Sequence, residues 1–453
     1  MNLWHINEDR FDPQKLNVEE TVYTIGNGYF GTRGSFEEGY PHSTPATLLY
    51  GVFDDIAIGK EELANVPDWV LLKLFVNGVR FRLDRGTILG YSRTLDMYNG
   101  ILSRSVHWET PEGIRIRMKC ERFASLADEH FGAIRYSVTV EENPTPVGEM
   151  SSEPVDIALW ATLSTAVGNY DLMHWETVTE GREDDLLWLH TQTRHSGVQL
   201  VQTMSFTTQN EGFHKEMMIS DIAPNIRLLG KLAPGETVTG EKIVGMYTSR
   251  DTRDLLHVAL ERHRTITQSQ NIHHAGDSRM TPDPMAEAEV CSCVYDALLD
   301  KHKEAWHQFW QVSDIIIEGD DRSQQAVRYN LYQLRISAST HDSRYSIAAK
   351  GLTGFGYRGH VFHDTEIFMV PFFTYVLPGI ASNLLLYRYH LLPAARDKAA
   401  KNGYEGAQFP WESTIDGKEA TPGAIVHPES GELIAVLNGK IELHITASIA
   451  FSY

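Results

Sequence analysis

The stretch IRIRMKCERFASLADEHFGAIRYSVTVE, Ile114 to Glu141, decides how the first half of the chain folds. Ile114, Ile116, Met118 and Cys120 alternate with Arg115, Arg117, Lys119 and Glu121, and Ile134, Tyr136, Val138 and Val140 alternate with Arg135, Ser137, Thr139 and Glu141. A period of two puts the apolar side chains on one side of an extended segment, so each run reads as a strand with one wet face. Asp128-Glu129-His130 lies just before the second run. Two carboxylates beside an imidazole invite an acid/base reading. Adjacent polar residues ahead of a strand are also ordinary turn chemistry, and the turn is the preferred reading.

The same pattern extends in both directions. Leu74 to Val76 and Val79 to Leu83 flank Asn77-Gly78, the two-residue turn that best tolerates the positive φ a tight hairpin needs. Leu186 to Thr193, Val198 to Phe206 and Thr237 to Met246, punctuated by Ser196-Gly197 and Pro234-Gly235, carry the pattern to about residue 250. So many one-sided strands pack most economically as a sandwich. Gly26-Asn27-Gly28-Tyr29-Phe30-Gly31 matches the dinucleotide fingerprint. That motif must open a helix, and Gly34 and Gly39 make one costly here, so a glycine-rich turn between strands is expected.

Past residue 250 the period changes. A polar stretch with His273, His274, Gly276, Pro282 and Pro284 leads to Val294, Leu298, Ala305 and Phe309 at helical spacing. Ile315-Ile316-Ile317 is too short for a helix and reads as a connecting strand. Asp320 and Asp321 then offer N-caps for a helix with Val327, Leu331, Leu334 and Ala338 on one face. Ile367 to Tyr387 carries no charge and is long enough to span a bilayer. Pro371, Pro378, Gly379, Ser382 and Asn383 interrupt it, so two short helices buried in a large soluble core are expected. Leu433 to Leu437 and Lys440 to Leu443 flank Asn438-Gly439 as another hairpin, and Ile445 and Ile449 begin a helical stripe. The stripe reaches Tyr453 without a stop signal, so the chain is expected to break off inside a domain.

Composition narrows the function. With 453 residues, 42% hydrophobic and 22% charged, the chain has the balance of a multidomain globular protein and not of a disordered one. Forty Lys and Arg against 60 Asp and Glu give a net charge of -20, a field that repels nucleic acid and anionic membranes, so neither is an expected partner. The N-terminus MNLWHINEDRFDPQKLN has no apolar core of a signal peptide. Cys120, Cys291 and Cys293 cannot build a disulfide framework, which fits a reducing cytoplasm. A metal site joining Cys291-Ser-Cys293 to His273 and His274 lacks recognisable ligand spacing, and no metal is expected.

The densest region is Lys350 to Pro422. Arg358, His360, His363, Asp364, Glu366, Glu405, Gln408, Trp411 and Glu412 stand there among apolar and aromatic residues. Carboxylates and amides that hydrogen-bond ring hydroxyls, beside an indole that covers the apolar sugar face, are the mixture carbohydrate sites use. Individually, Glu366, His360 and Glu405 read at least as well as satisfied core polar groups.

At these residues the sequence resembles glycoside hydrolase family 65, the inverting α-glucoside phosphorylases. The resemblance rests on GNGYFGTRGSFEEG at Gly26 to Gly39, on the Trp306 to Gly319 region, and above all on GYRGHVFHDTEIFMVPFF at Gly356 to Phe373 and LLLYRYHLLPAARDKAAKNGYEGAQFPWES at Leu384 to Ser413. It implies a multidomain β + α chain: an N-terminal antiparallel β-super-sandwich over residues 1–270, linker helices over 271–319, and the first part of an (α/α)6 catalytic barrel over 320–453. It also implies phosphorolysis with inversion, in which phosphate is both co-substrate and nucleophile, so one carboxylic acid suffices where an inverting hydrolase needs two. No other cofactor is implied. The family's general acid and phosphate loops have no matching segment here and are expected beyond Tyr453, which leaves the 453 residues inactive alone.

By the same resemblance, the substrate-binding residues are His363, Asp364, Arg358, Trp411 and Glu412. Asp364 would accept hydrogen bonds from the non-reducing glucose, His363 would line that subsite, and Trp411 and Glu412 would shape the acceptor subsite. His363 departs from the family's tryptophan, and Ser448 from a common aspartate. The PWES segment is nearer the trehalose or kojibiose type than the maltose type. The implied partners are an α-linked glucose disaccharide and phosphate, with a homodimer as an option for a full-length form. A family 65 α-glucoside hydrolase is one alternative, and a catalytically inactive carbohydrate-binding or structural fragment is the other.

Overall fold

The computed structural model describes residues 2–55, 61–144, 151–170, 172–268, 294–427 and 429–453. His273, His274, Gly276, Pro282, Pro284, Cys291 and Cys293 lie outside the described residues. The alternating runs form the expected antiparallel ladders. Across the nine-stranded sheet the order is His5–Glu8, Thr87–Asp96, Ile101–Glu109, Arg115–Ala124, Phe131–Glu142, Thr237–Thr248, Gln199–Thr207, Leu186–Thr193 and Trp175–Glu183. A five-stranded sheet, His214–Met218, Asn225–Leu232, Val155–Thr162, Leu72–Val76 and Val79–Arg80, faces it. Ile116, Met118, Tyr136 and Val138 from one sheet and Leu72, Leu74, Val76, Ile157 and Leu159 from the other share a single core, so the first half is a sandwich.

The Asn77-Gly78 turn is present, with φ of 46° and 78° at its two central residues. The glycine-rich segment is also a turn. It joins Ile25–Gly26 to Phe30–Thr32 within a four-stranded sheet completed by Thr47–Asp55 and Glu61–Asn65. Glu61–Asn65 carries much of what positions the site described below.

Helix α1 is Leu16–Val22, α2 Leu255–Gln268, α3 Val294–Ser313 and α4 Asp321–Ser337. Asp320 caps α4 as expected, its carboxylate accepting from the Ser323 N–H at 3.0 Å. Helices α2 and α3 cover the outer face of the nine-stranded sheet, where Leu255, Ala259, Tyr295 and Leu298 meet Phe123, Phe131, Val201 and Ile243. One buried histidine pins each helix. In α2, His263 stands between the Thr203 and Ser205 hydroxyls at 2.9 and 3.0 Å. In α3, His302 Nδ1 accepts from the Leu126 N–H at 3.0 Å while Nε2–H donates to the Gly100 carbonyl at 3.2 Å.

Burial lowers both imidazoles to about 3. Their folded pKa lies below the ordinary value of about 6.5, so the stability they contribute is present above that pH and is lost as pH falls toward 3. His174 has the opposite sign. Burial opposes its charge, but Asp54 and Glu62 outweigh burial and lift it to about 9, so its contribution is lost as pH rises through that value. Between pH 6.5 and 5.5 the fold is expected to lose about 1 kcal/mol for each of His263 and His302. Thermal melts of wild type and the His263→Asn, His302→Gln double variant check this. The variant should show a flatter acid limb, and an unchanged limb would contradict the assignment.

After α4 the chain runs through a π turn, Thr365–Met369, into α5 (Val370–Val376), α6 (Pro378–His390) and α7 (Leu392–Lys401), and ends with α8 (Asn438–Ile441) and α9 (His444–Ser452). Two short buried helices were the expectation for Ile367 to Tyr387, and the structure has two, α5 and α6, separated at Leu377. They are only half buried, since Phe368 and Tyr375 are exposed while Phe373, Ile380, Leu384 and Tyr387 are inside. No described helix is long and apolar enough to cross a membrane.

Two local expectations fail. Ile315-Ile316-Ile317 pairs with no strand among the described residues, and its Ile317 N–H and Ile315 carbonyl are taken by the Gln324 side chain of α4. Asn438-Gly439 opens α8 instead of a hairpin, because Leu433–Ala435 pairs with Ala424–Val426 and leaves Lys440 to Leu443 no strand partner.

Candidate active site

The two long motifs are drawn together by one antiparallel bridge between residues 52 positions apart. The Val361 N–H donates to the Ser413 carbonyl at 2.9 Å and the Ser413 N–H returns to the Val361 carbonyl at 3.0 Å. Arg388 of α6 locks the bridge from beneath. Its guanidinium holds both Glu366 oxygens at 2.7 and 2.9 Å, the Ser413 hydroxyl at 2.8 Å and the Phe362 carbonyl at 3.0 Å. Both side chains of this ion pair are 0% exposed. Glu419 fixes the far side by accepting from Lys398 and from the Trp411 and Glu412 N–H groups. Burial acts to raise the Glu419 carboxyl, but Lys398, Thr421 and the Trp411 N–H hold it below the usual carboxylate range.

The sandwich supplies the floor. His360 bridges Glu412 Oε2 at 2.7 Å and the Glu61 carbonyl at 2.8 Å. Gly359, at φ +78°, lies so close to Leu63 that a Cβ would sit 2.3 Å from its Cγ, and the Tyr345 hydroxyl donates to its carbonyl. Immediately before it, Tyr357 and Arg358 take left-handed φ of 56° and 55° without being glycine. Such conformations cost energy and persist where the surroundings fix them, commonly at ligand sites.

On this frame, Asp364 stands at the start of the π turn. It is exposed, and its carboxylate neither caps a helix nor bonds a described residue. Arg358 is half-buried, and no described residue accepts from its guanidinium. His363, Trp411 and His444 form a ring cluster with centroids 4.9 to 6.0 Å apart, and Phe362 stands perpendicular to Trp411 at 5.9 Å. His363 Nδ1 is buried without a hydrogen-bond partner among the described residues. Burial and the nearby His444 lower its pKa against the opposing pull of Asp364, favouring the neutral ring.

The structure therefore places His363, Trp411 and Glu412 side by side, with Asp364 and Arg358 on the flanking turns. Glu412 is already engaged by His360. The remaining polar residues of the region serve the frame: Glu366 is consumed by Arg388, and Gln408 accepts from the Asn402 amide at 2.6 Å. Glu405 is exposed. His444 was missed in the sequence, because it enters only when α9 folds back onto the π turn and no spacing marks that contact. Ser448 is half-buried on α9. Among the described residues no cluster could hold a metal ion. An unengaged carboxylate and guanidinium beside a wall of flat rings can bind a polyol with an apolar ring face.

Comparison with known proteins agrees with this architecture. Residues 6–309 match the glycosyl hydrolase family 65 N-terminal domain and residues 328–453 match the family 65 central catalytic domain. The kojibiose phosphorylases of Halothermothrix orenii and Escherichia coli (strain K12) are each 34% identical over 99% of this chain, and the alpha,alpha-trehalose phosphorylase of Thermoanaerobacter brockii is 30% identical over 99%. The chain covers 55%, 55% and 58% of those proteins, so it spans about half the length of the curated relatives it matches. A solved candidate kojibiose phosphorylase from the human microbiome shares the fold, with a TM-score of 0.77 at 23% identity over 93% of this chain and 53% of that one. With a sandwich leading into helices and both family regions matched along its length, this chain belongs to glycosyl hydrolase family 65.

Proposed function

We propose that the site binds the non-reducing glucosyl unit of an α-linked disaccharide such as kojibiose or trehalose. In a polypeptide that also supplies a segment matching the rest of the relatives' length, we propose that it performs inverting phosphorolysis to β-glucose 1-phosphate. The observation that carries this reading is the exposed, unengaged Asp364 carboxylate beside the His363–Trp411–His444 rings. Asp364 accepts from sugar hydroxyls, Arg358 donates to them, the rings cover the apolar face, and Glu412, oriented by His360, borders the acceptor. Phosphate is the nucleophile, so the reaction needs one acid and no base for water. We propose a cytoplasmic location, which the low cysteine content supports, and a homodimer is compatible with this reading.

Glu366, Glu412 and Glu419 are all engaged, and none of the three is a ready proton donor. Arg388 holds Glu366, His360 holds Glu412 and Lys398 holds Glu419. The 453 residues alone are therefore expected to bind sugar without turning it over. Incubated with kojibiose or trehalose and phosphate, they should release no glucose 1-phosphate, whereas the polypeptide of the relatives' full length should release it one for one with glucose and only when phosphate is present. Phosphate-independent glucose release would favour the hydrolase instead. Turnover by the 453 residues would contradict the assignment of the acid.

A further inference from the structure

The sandwich contributes an aromatic residue that the sugar site as described does not use. Tyr170 stands at the tip of a tight turn closed by reciprocal Asn169 and Leu172 backbone hydrogen bonds of 2.9 Å each. Its backbone is left-handed, φ 54°, and its side chain is 77% exposed. A tyrosine held in that conformation at a solvent-facing tip gains little from burial.

The turn is not loosely attached. Asn169 donates its amide to the Leu63 carbonyl at 2.7 Å and accepts from the Asn65 N–H at 2.9 Å. A few residues on, His174 is clamped by Asp54 at 3.0 Å and Glu62 at 2.7 Å. The same short strand, Glu61–Asn65, gives its Glu61 carbonyl to His360 and packs Leu63 against Gly359. One strand therefore sets the position of Tyr170 relative to the barrel motif.

The Tyr170 ring leans on Phe355 at 5.5 Å. Phe355 directly precedes the turn bearing Tyr357, which is 58% exposed and meets Phe362 at 5.4 Å, and Phe362 meets Trp411 at 5.9 Å. Two sets of rings, Tyr170 with Phe355 and Tyr357 with Phe362 and Trp411, thus lie between the sandwich and the His363–Trp411 cluster, joined through the Gly356–Gly359 turn.

We propose that Tyr170 is a specificity-determining residue: a distal stacking platform that extends the acceptor side of the site, so that α-linked gluco-oligosaccharides of three or more units are preferred over disaccharides. This rests on the glucosyl-binding reading above. Tyr170 covers the apolar face of a sugar beyond the first two units and takes no part in recognising the non-reducing end.

The test is calorimetric titration of the chain with kojibiose and kojitriose, in wild type and in Tyr170→Phe, Tyr170→Ala and Tyr170→Asn, the last keeping a residue that tolerates left-handed backbone. The ratio of kojitriose to kojibiose affinity should fall about fivefold in Tyr170→Ala and Tyr170→Asn and stay at the wild-type value in Tyr170→Phe. If both sugars bind but the ratio is the same in all four proteins, the platform is wrong while the glucosyl site stands. If wild type binds neither sugar, the glucosyl reading fails and the platform with it.

Discussion

Arg388→Ala is expected to collapse the site and much of the helical half with it. The guanidinium is wholly buried and serves three partners at once: Glu366, the Ser413 hydroxyl and the Phe362 carbonyl. Removing it leaves the Glu366 carboxylate in a dry interior with its charge uncompensated, a change that costs about 3–5 kcal/mol. The cost should exceed that of removing both charges together, because Arg388→Met with Glu366→Leu leaves no orphaned ion. Chemical denaturation of the three proteins measures it. The single variant should show a large drop in midpoint and lose its near-UV signal around Trp411, and the double variant should recover part of the stability. A single variant as stable as wild type would show that the pair does not hold the two motifs together.

Asp364→Ala should do the reverse, leaving the fold intact and removing recognition. The side chain is exposed and bonds nothing in the described structure, so stability should change by less than about 0.5 kcal/mol. Among the described residues no internal partner has claimed this carboxylate, whereas Glu366, Glu412 and Glu419 are held. Losing a charged hydrogen-bond partner to a sugar hydroxyl costs about 1.5–3 kcal/mol, roughly ten- to hundredfold in affinity. Asp364→Asn keeps the shape and some hydrogen bonding and should fall between. Titration with kojibiose reads all three, and near-normal binding by Asp364→Ala would remove this residue from the site.

The two variants separate two kinds of polar residue that are only partly distinguishable in the sequence, where Glu366 reads at least as well as a satisfied core group and Asp364 is assigned to the sugar by resemblance alone. In the motif His363-Asp364-Thr365-Glu366, Asp364 and Glu366 are both carboxylates two positions apart. Only folding turns Glu366 into the core against a residue 22 positions later and leaves Asp364 outside. The sandwich was far more legible. A period of two in Arg115–Ala124 and Phe131–Glu142 is a local signal that the core of facing strands simply accepts. Asn77-Gly78 is legible for the same reason, since the turn is specified by its own two residues.

Asn438-Gly439 carries the same local signal and forms no hairpin. There the flanking strand has a better partner in Ala424–Val426, and pairing is decided by competition that no dipeptide encodes. His444 and Tyr170 were invisible for a related reason. Each reaches its ring neighbours across long stretches of chain, His444 to His363 and Tyr170 to Phe355, through folded elements and not through any spacing. The buried histidines His263 and His302 likewise sit at ordinary core-facing helix positions, and only the structure shows that their ring nitrogens are the pins.

The most direct test of the glucosyl site is saturation-transfer NMR of kojibiose with the purified chain. Saturable binding at that site is expected, with the strongest transfer to the non-reducing glucosyl ring and its loss in Asp364→Ala. Transfer confined to the reducing ring, or a wild-type signal that survives in Asp364→Ala, would contradict it.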